Sequence, residues 1–197
     1  MRAFPNRSKR VGRGASGQGG TGVAVTSLCA YDGPIYATDA YQVLVFTQRG
    51  KLVKQFGRPG TGAEEFDHPN GIAVTPNLAT VVSDSGNARV IGATATGKPL
   101  WTVGRERSLG ATRTGGVFDI PRGLTYVDSD STLLVADSLK SQLVKLSIGG
   151  KVLDSYGQRG SAPGQFNFPT DVASQGDRVV VAEKGNDRVQ VVVLESK

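Results

Sequence analysis

The sequence predicts an all-β protein made of one small sheet repeated four times, and three observations point there. Four aliphatic runs each end in an acid and a turn: Ile35-Tyr36-Ala37-Thr38-Asp39, Thr80-Val81-Val82-Ser83-Asp84, Leu133-Leu134-Val135-Ala136-Asp137 and Val179-Val180-Val181-Ala182-Glu183. Their acids, at 39, 84, 137 and 183, lie 45, 53 and 46 residues apart. A period of that size, kept along the whole chain, marks a supersecondary unit stacked on copies of itself. Ahead of the acid, the last three copies place a phenylalanine and then a proline before a short apolar strand: Phe66 to Pro69, Phe118 to Pro121 and Phe166 to Pro169. Beyond it, a further strand closes on an aromatic or a valine before glycine, as in Phe56-Gly57, Val103-Gly104 and Tyr156-Gly157.

Taken in order, each copy holds four strands. The first follows the proline and is small, with Ala24, Ala73 or Ala173 at a position suited to crowding near a central axis. The second is the run that ends in the acid. The third starts at once after a polar turn, and the fourth ends at the glycine. Four strands in fewer than about fifty residues leave no room for a crossover helix, so neighbours are antiparallel. Runs that are apolar on successive residues, such as Val179-Val180-Val181, belong to sheets covered on both faces. These properties describe a β-propeller of four-stranded antiparallel blades, four of them visible, at about 21–60, 61–108, 109–160 and 161–197.

The motif order is Gly-x-x-Gly, Gln-Phe, Pro-x-Gly/Asp with a small apolar strand, and then an acid followed by Gly-Asn-x-Arg-Val. It resembles the NHL repeat. Its best copies are Asp84-Ser85-Gly86-Asn87-Ala88-Arg89-Val90 and Glu183-Lys184-Gly185-Asn186-Asp187-Arg188-Val189. The third copy, Asp137-Ser138-Leu139-Lys140-Ser141-Gln142-Leu143, keeps the length without the Gly-Asn or the Arg, and the first, Asp39-Ala40-Tyr41-Gln42-Val43, is two residues shorter. The resemblance implies a ring of five or six blades, so three readings stand: an unusually small ring, part of a larger propeller, or an assembly. Residues 1–20 form a basic arm in which Lys9-Arg10-Val11-Gly12-Arg13 matches Lys54-Gln55-Phe56-Gly57-Arg58. That match makes the arm a candidate closing strand for the last blade, whose copy shows no fourth strand of its own.

With 197 residues, 38% of them hydrophobic, the chain can bury a substantial core. No apolar stretch is long enough to span a membrane as a helix, so no membrane partner is expected. One cysteine, Cys29, makes no internal disulfide and fits a reducing compartment, which places the expectation in the cytoplasm. The acid-free, Arg-rich start is also compatible with a mitochondrial presequence, a less economical reading than a strand.

A net charge of +6 raises nucleic acid as a ligand. Five of the basic residues, Arg2, Arg7, Lys9, Arg10 and Arg13, sit in the first fourteen positions, and the remainder of the chain is close to neutral. In an antiparallel blade the turns after strands two and four share one rim. That rim collects the candidate ligand-binding residues Arg58, Arg105, Arg107, Arg113 and Arg159 from the loops between blades, with Tyr41, Asn87, Arg89, Lys140 and Lys184 from the turns within them. Acids on the same rim nearly balance these charges, so ion-paired, solvated arginines compete with binding contacts as an explanation.

The repeated acids would approach a common axis where a hard cation could sit, yet Asp and Asn in tight turns also satisfy backbone amides, and an Arg five residues on offers a partner. The turn reading is preferred, and no metal or other cofactor is expected. Catalytic residues are not expected either. His68 is the only histidine and occupies the Phe-x-x-Pro segment, where Ile120 and Phe168 stand in other copies, so a packing role is expected. No nucleophile elbow, paired-cysteine or phosphate-loop spacing occurs.

A non-catalytic protein-binding scaffold is the expected function. The NHL resemblance implies target recognition in a ubiquitin-ligase context. RNA binding through the Arg105–Arg113 loop and the N-terminal arm is the alternative, and a metal-dependent lactonase- or lyase-like propeller enzyme ranks third. Self-assembly is expected if the ring is incomplete.

Overall fold

A computed structural model describes residues 25–104 and 116–193. Among them the regular structure is all strand. The first blade is β1 (Ser27–Ala30), β2 (Ile35–Asp39), β3 (Gln42–Phe46) and β4 (Leu52–Phe56). A short parallel pair, β5 (Arg58–Pro59) with β6 (Glu65–Phe66), links it to the second blade, β7 (Pro69–Val74), β8 (Thr80–Asp84), β9 (Arg89–Ala93) and β10 (Pro99–Gly104). The third is β11 (Pro121–Val127), β12 (Thr132–Asp137), β13 (Gln142–Ser147) and β14 (Val152–Tyr156), and the fourth shows β15 (Pro169–Gln175), β16 (Arg178–Glu183) and β17 (Arg188–Val193). The sheet of each blade runs in chain order with antiparallel neighbours. These are the stacked blades of a β-propeller.

Alternation along each middle strand explains why blades stack. In β12, Leu133 and Val135 turn to the second blade while Leu134 and Ala136 turn to the fourth, and all four are shut off from water. Both faces of a middle blade therefore need apolar cover, which is why its strands read as unbroken aliphatic runs. Three cores result. Tyr36, Val43 and Val45 meet Ile72, Val82 and Ile91; Val81 and Val90 meet Leu133, Val135 and Val144; Leu134 and Leu143 meet Val172, Val179 and Val181.

The Phe and Gly landmarks form one device. Gly57 and Gly157, after the fourth strands, have φ of 98° and 84°, and a Cβ there would lie 2.5 and 2.3 Å from the rings of Phe66 and Phe166. Both rings are buried. The glycine supplies the left-handed backbone and also the room for the ring.

The inner strand of the first blade begins at Ser27, three residues after Ala24. Ala24, the proposed closing strand at 9–13 and the loop with Arg105, Arg107 and Arg113 lie outside the described residues.

Candidate functional site

The rim formed by the turns after the second and fourth strands is organised around the repeated acid. In the second blade, Asp84 accepts from Arg89 Nε at 2.9 Å, Asn87 Nδ2 at 2.7 Å and the Asp67 amide at 2.7 Å. The same arginine donates onward to the carbonyls of Thr61, Gly62 and Glu65, at 2.6, 2.8 and 2.8 Å. The fourth blade repeats the pattern. Glu183 accepts from Arg188 Nε at 2.7 Å, from Asn186 at 2.6 Å and from the Asn167 amide at 2.9 Å, while Arg188 reaches the carbonyls of Ser161, Ala162 and Gln165. One side chain thus ties the strand end, the turn and the incoming loop together, satisfying carbonyls that the irregular backbone leaves over.

Solvent separates the two copies. Arg89 and Asp84 are fully enclosed, whereas the Arg188 side chain is 30% exposed. Burial is the larger influence on Asp84 and pushes its carboxyl above the ordinary aspartate range, against the donors from Asn87, Asp67 and Arg89. At Glu183 burial also pulls upward, but Arg188, the Asn167 amide, Asn186 and Gln190 together hold the carboxyl below the usual glutamate range.

The third blade keeps the function with another residue. Lys140 Nζ donates to the carbonyls of Gly116 and Val117, and Asp137 accepts from the amides of Asp119, Ile120 and Lys140. In the first blade Asp39 accepts from the Ala40 amide and from Gln42. All four acids therefore serve their turns, as the preferred reading of the sequence had it.

Of the candidate binding residues, Asn87 and Arg89 are buried and hydrogen-bonded to Asp84 and the loop carbonyls, and Lys140 is half-buried and donates to two carbonyls. Arg58 is exposed but pairs with Glu65 at 2.9 Å; hydrogen bonds from the Gly62 amide and Arg58 hold that carboxyl low. Arg159, Tyr41 and Lys184 remain exposed.

His68 is corrected. It is not a packing residue: its side chain is 68% exposed, its Nδ1 lies 2.6 Å from Asp67 Oδ1, and its ring meets Tyr41 edge-on with centroids 5.6 Å apart. Phe168 at the equivalent place in the fourth blade is also exposed, and Arg159 Cζ stands 5.5 Å from its ring centroid. Both residues adopt the left-handed backbone, φ 50° and 49°, which swings their side chains out of the rim while the following prolines stay buried. Sequence reading missed them because a bulky residue before proline looks like core. Arg122, also unremarked in the sequence, fills the place that Asn70 and Thr170 hold in the other blades and has a buried Nε with no hydrogen-bond partner among the described residues.

Residues of all four inner strands, Cys29, Tyr126 and Asp171 among them, line a depression of about 330 Å³ together with Asp128 just past β11. Burial raises the Cys29 thiol above its usual range, with a backbone hydrogen bond from Val74 opposing.

Comparison with known proteins agrees with this architecture. Residues 23–91 match a family model described as a 6-bladed beta-propeller. A protein of unknown function from Bacteroides thetaiotaomicron superposes with a TM-score of 0.68 at 18% identity, over 87% of this chain and 47% of its own. Virginiamycin B lyase from Staphylococcus aureus, crystallised with quinupristin, gives 0.62 at 16% identity, over 86% of this chain and 52% of the lyase. The computationally designed Ika4 protein gives 0.59 at 15% identity, over 89% of this chain and 94% of the design. The chain spans about half the length of the two natural proteins. Identities this low speak to architecture alone, and the architecture is that of a β-propeller.

Proposed function

We propose that the chain is a non-catalytic NHL-type propeller that recognises a protein through the rim around Arg159 and Phe168. The observation that carries this reading is the presentation of Phe168, which is 37% exposed in a left-handed backbone conformation beneath a guanidinium. Holding a bulky residue there costs about 1–3 kcal/mol, and such strain concentrates where a surface is used. Aromatic and arginine side chains are also the types enriched at the centres of protein interfaces. Tyr41 against His68 offers a second such pair two blades away.

RNA is the second reading. It rests on the Arg105, Arg107 and Arg113 loop, while Arg89 and Arg188, the other rim arginines inside blades, are engaged with carboxylates and carbonyls. The test is retention of proteins on the immobilised chain, with and without ribonuclease, for the natural sequence and for Phe168→Ser with Arg159→Glu. Ribonuclease-resistant retention that the double variant abolishes supports the reading. Retention that ribonuclease removes, or that the variant leaves unchanged, contradicts it.

A further inference from the structure

The inner strands interrupt their pairing at one common place. Between Pro69 and Gly71, and between Pro169 and Asp171, the ladder to the second strand skips one residue, Asn70 or Thr170; between Pro121 and Leu124 it skips two, Arg122 and Gly123. Such bulges re-aim the side chains they carry. Thr26, just ahead of the Ser27–Thr38 pair, holds the same place in the first blade. Two of these four residues serve their own blades with a hydroxyl: Thr26 donates to the Thr38 carbonyl and Thr170 to the Ala182 carbonyl, each one residue before the strand-end acid. A short hydroxyl meets the needs of the fold there, and an arginine is not required for it.

Arg122 is held by its backbone and not by its side chain. The Pro121 carbonyl accepts from the Ser85 hydroxyl, and a Cβ on Gly71 would collide with the Arg122 carbonyl, so β7 and β11 touch backbone to backbone at this point. The guanidinium makes no hydrogen bond or ion pair among the described residues. Its Nε is shut off from water, while the residue as a whole is half-buried and its terminal nitrogens reach the surface. An arginine stays charged, and drawing that charge out of water without a partner is costly. Arg58, Arg89 and Arg188 on the same rim each have a carboxylate. Asn70, on the touching strand, is half-buried with a carboxamide that also makes no hydrogen bond among the described residues.

We propose that Arg122 binds a carboxylate at this end of the inner strands, with Asn70 as a second donor. A planar guanidinium grips a carboxylate through parallel N–H donors, and the negative charge offsets the desolvation that the Nε side of the group now bears alone. The same surroundings disfavour a nucleic-acid backbone. Asp171, set against Gly123 where β11 meets β15, spends Oδ1 on the Val172 amide and forms no ion pair with Arg122, so one cation stands near one acid. A phosphate chain is held by several cations together. One fork suits one carboxylate, carried by an acidic side chain of a protein segment or by a small acid. The assignment stands whether or not Phe168 receives a partner.

The test is nuclear magnetic resonance on the isotope-labelled chain, following the Arg122 Nε–H and the Asn70 carboxamide as a probe is added. The probes are a capped glycine-glutamate-glycine peptide, its glutamine counterpart, sodium acetate and inorganic phosphate. Arg122→Thr identifies the arginine signal by its loss. The glutamate peptide and acetate should move both signals to saturation, and the glutamine peptide should not. A larger response to the peptide puts the carboxylate on a protein segment; an equal or larger response to acetate puts it on a small acid. Arg122→Thr should abolish the Asn70 response. Because threonine fills the equivalent place in the fourth blade, that variant should also melt no lower than the natural chain. No movement with either carboxylate, equal movement with the glutamine peptide, a stronger response to phosphate, an Asn70 response that survives Arg122→Thr, or a melting temperature lowered by that substitution would each overturn the proposal.

Discussion

Arg89 donates Nε–H to Asp84 across 2.9 Å with both side chains sealed from water. The pair sits where a strand end, a turn and the loop between blades converge, so removing the cation strands a buried carboxylate and three loop carbonyls at once.

Arg89→Ala should therefore lower stability by about 3–5 kcal/mol, the usual cost of breaking a buried ion pair from one side. Arg188→Ala, at the partly exposed copy, should cost clearly less. Denaturant titrations of the two variants check the order.

The acid limb of stability should depend on Glu183. Its carboxyl is held below the usual range in the folded chain, so it contributes stability above the unfolded glutamate pKa and loses it as pH falls through the folded one. Asp84, pushed up by burial, has the opposite sign and offsets part of the loss. Glu183→Gln should flatten the fall of the melting temperature on acidification below the ordinary glutamate range, and melts across that interval read it directly.

Trp101 is the single tryptophan, and it bridges the second and third blades by donating Nε1–H to the Ile148 carbonyl at 3.1 Å. A Cβ on Gly92 would stand 2.2 Å from its ring. Gly92→Ala should displace the indole, shift its emission and cost about 1–3 kcal/mol by overpacking.

Phe168→Gly should leave stability unchanged or raised, because glycine adopts the left-handed backbone at no steric cost. Partner retention should be lost with the ring. Thermal melts and the retention assay measure the two effects separately.

Much of this was legible in the sequence. The period and the apolar doublets define the blades, because a sheet covered on both faces admits few polar residues. The acid and the arginine five positions on also announce their pairing, since they face each other across a two-stranded turn: Asp84 opposite Arg89, Glu183 opposite Arg188. What stayed hidden depends on backbone sign and on substitution. Nothing in the identity of His68 or Phe168 reveals a positive φ, and Lys140 replaces the asparagine and arginine of other copies by a longer reach that residue type alone does not declare. The exposure of Val189 was equally invisible, because it matches Val90 and Leu143, which are buried at the equivalent places of other blades.

The rim holds arginines that tie loops, Arg89 above all, and the side chains proposed to receive a partner, Phe168 above all, and one comparison tests that division most directly. Melting temperature and ribonuclease-resistant partner retention should be measured side by side for Arg89→Ala and Phe168→Ser. Arg89→Ala should melt earlier yet keep its partner below the melt, and Phe168→Ser should melt with the natural chain and lose its partner. If Phe168→Ser unfolds early while retention survives, or Arg89→Ala loses the partner with its melt intact, the division is wrong.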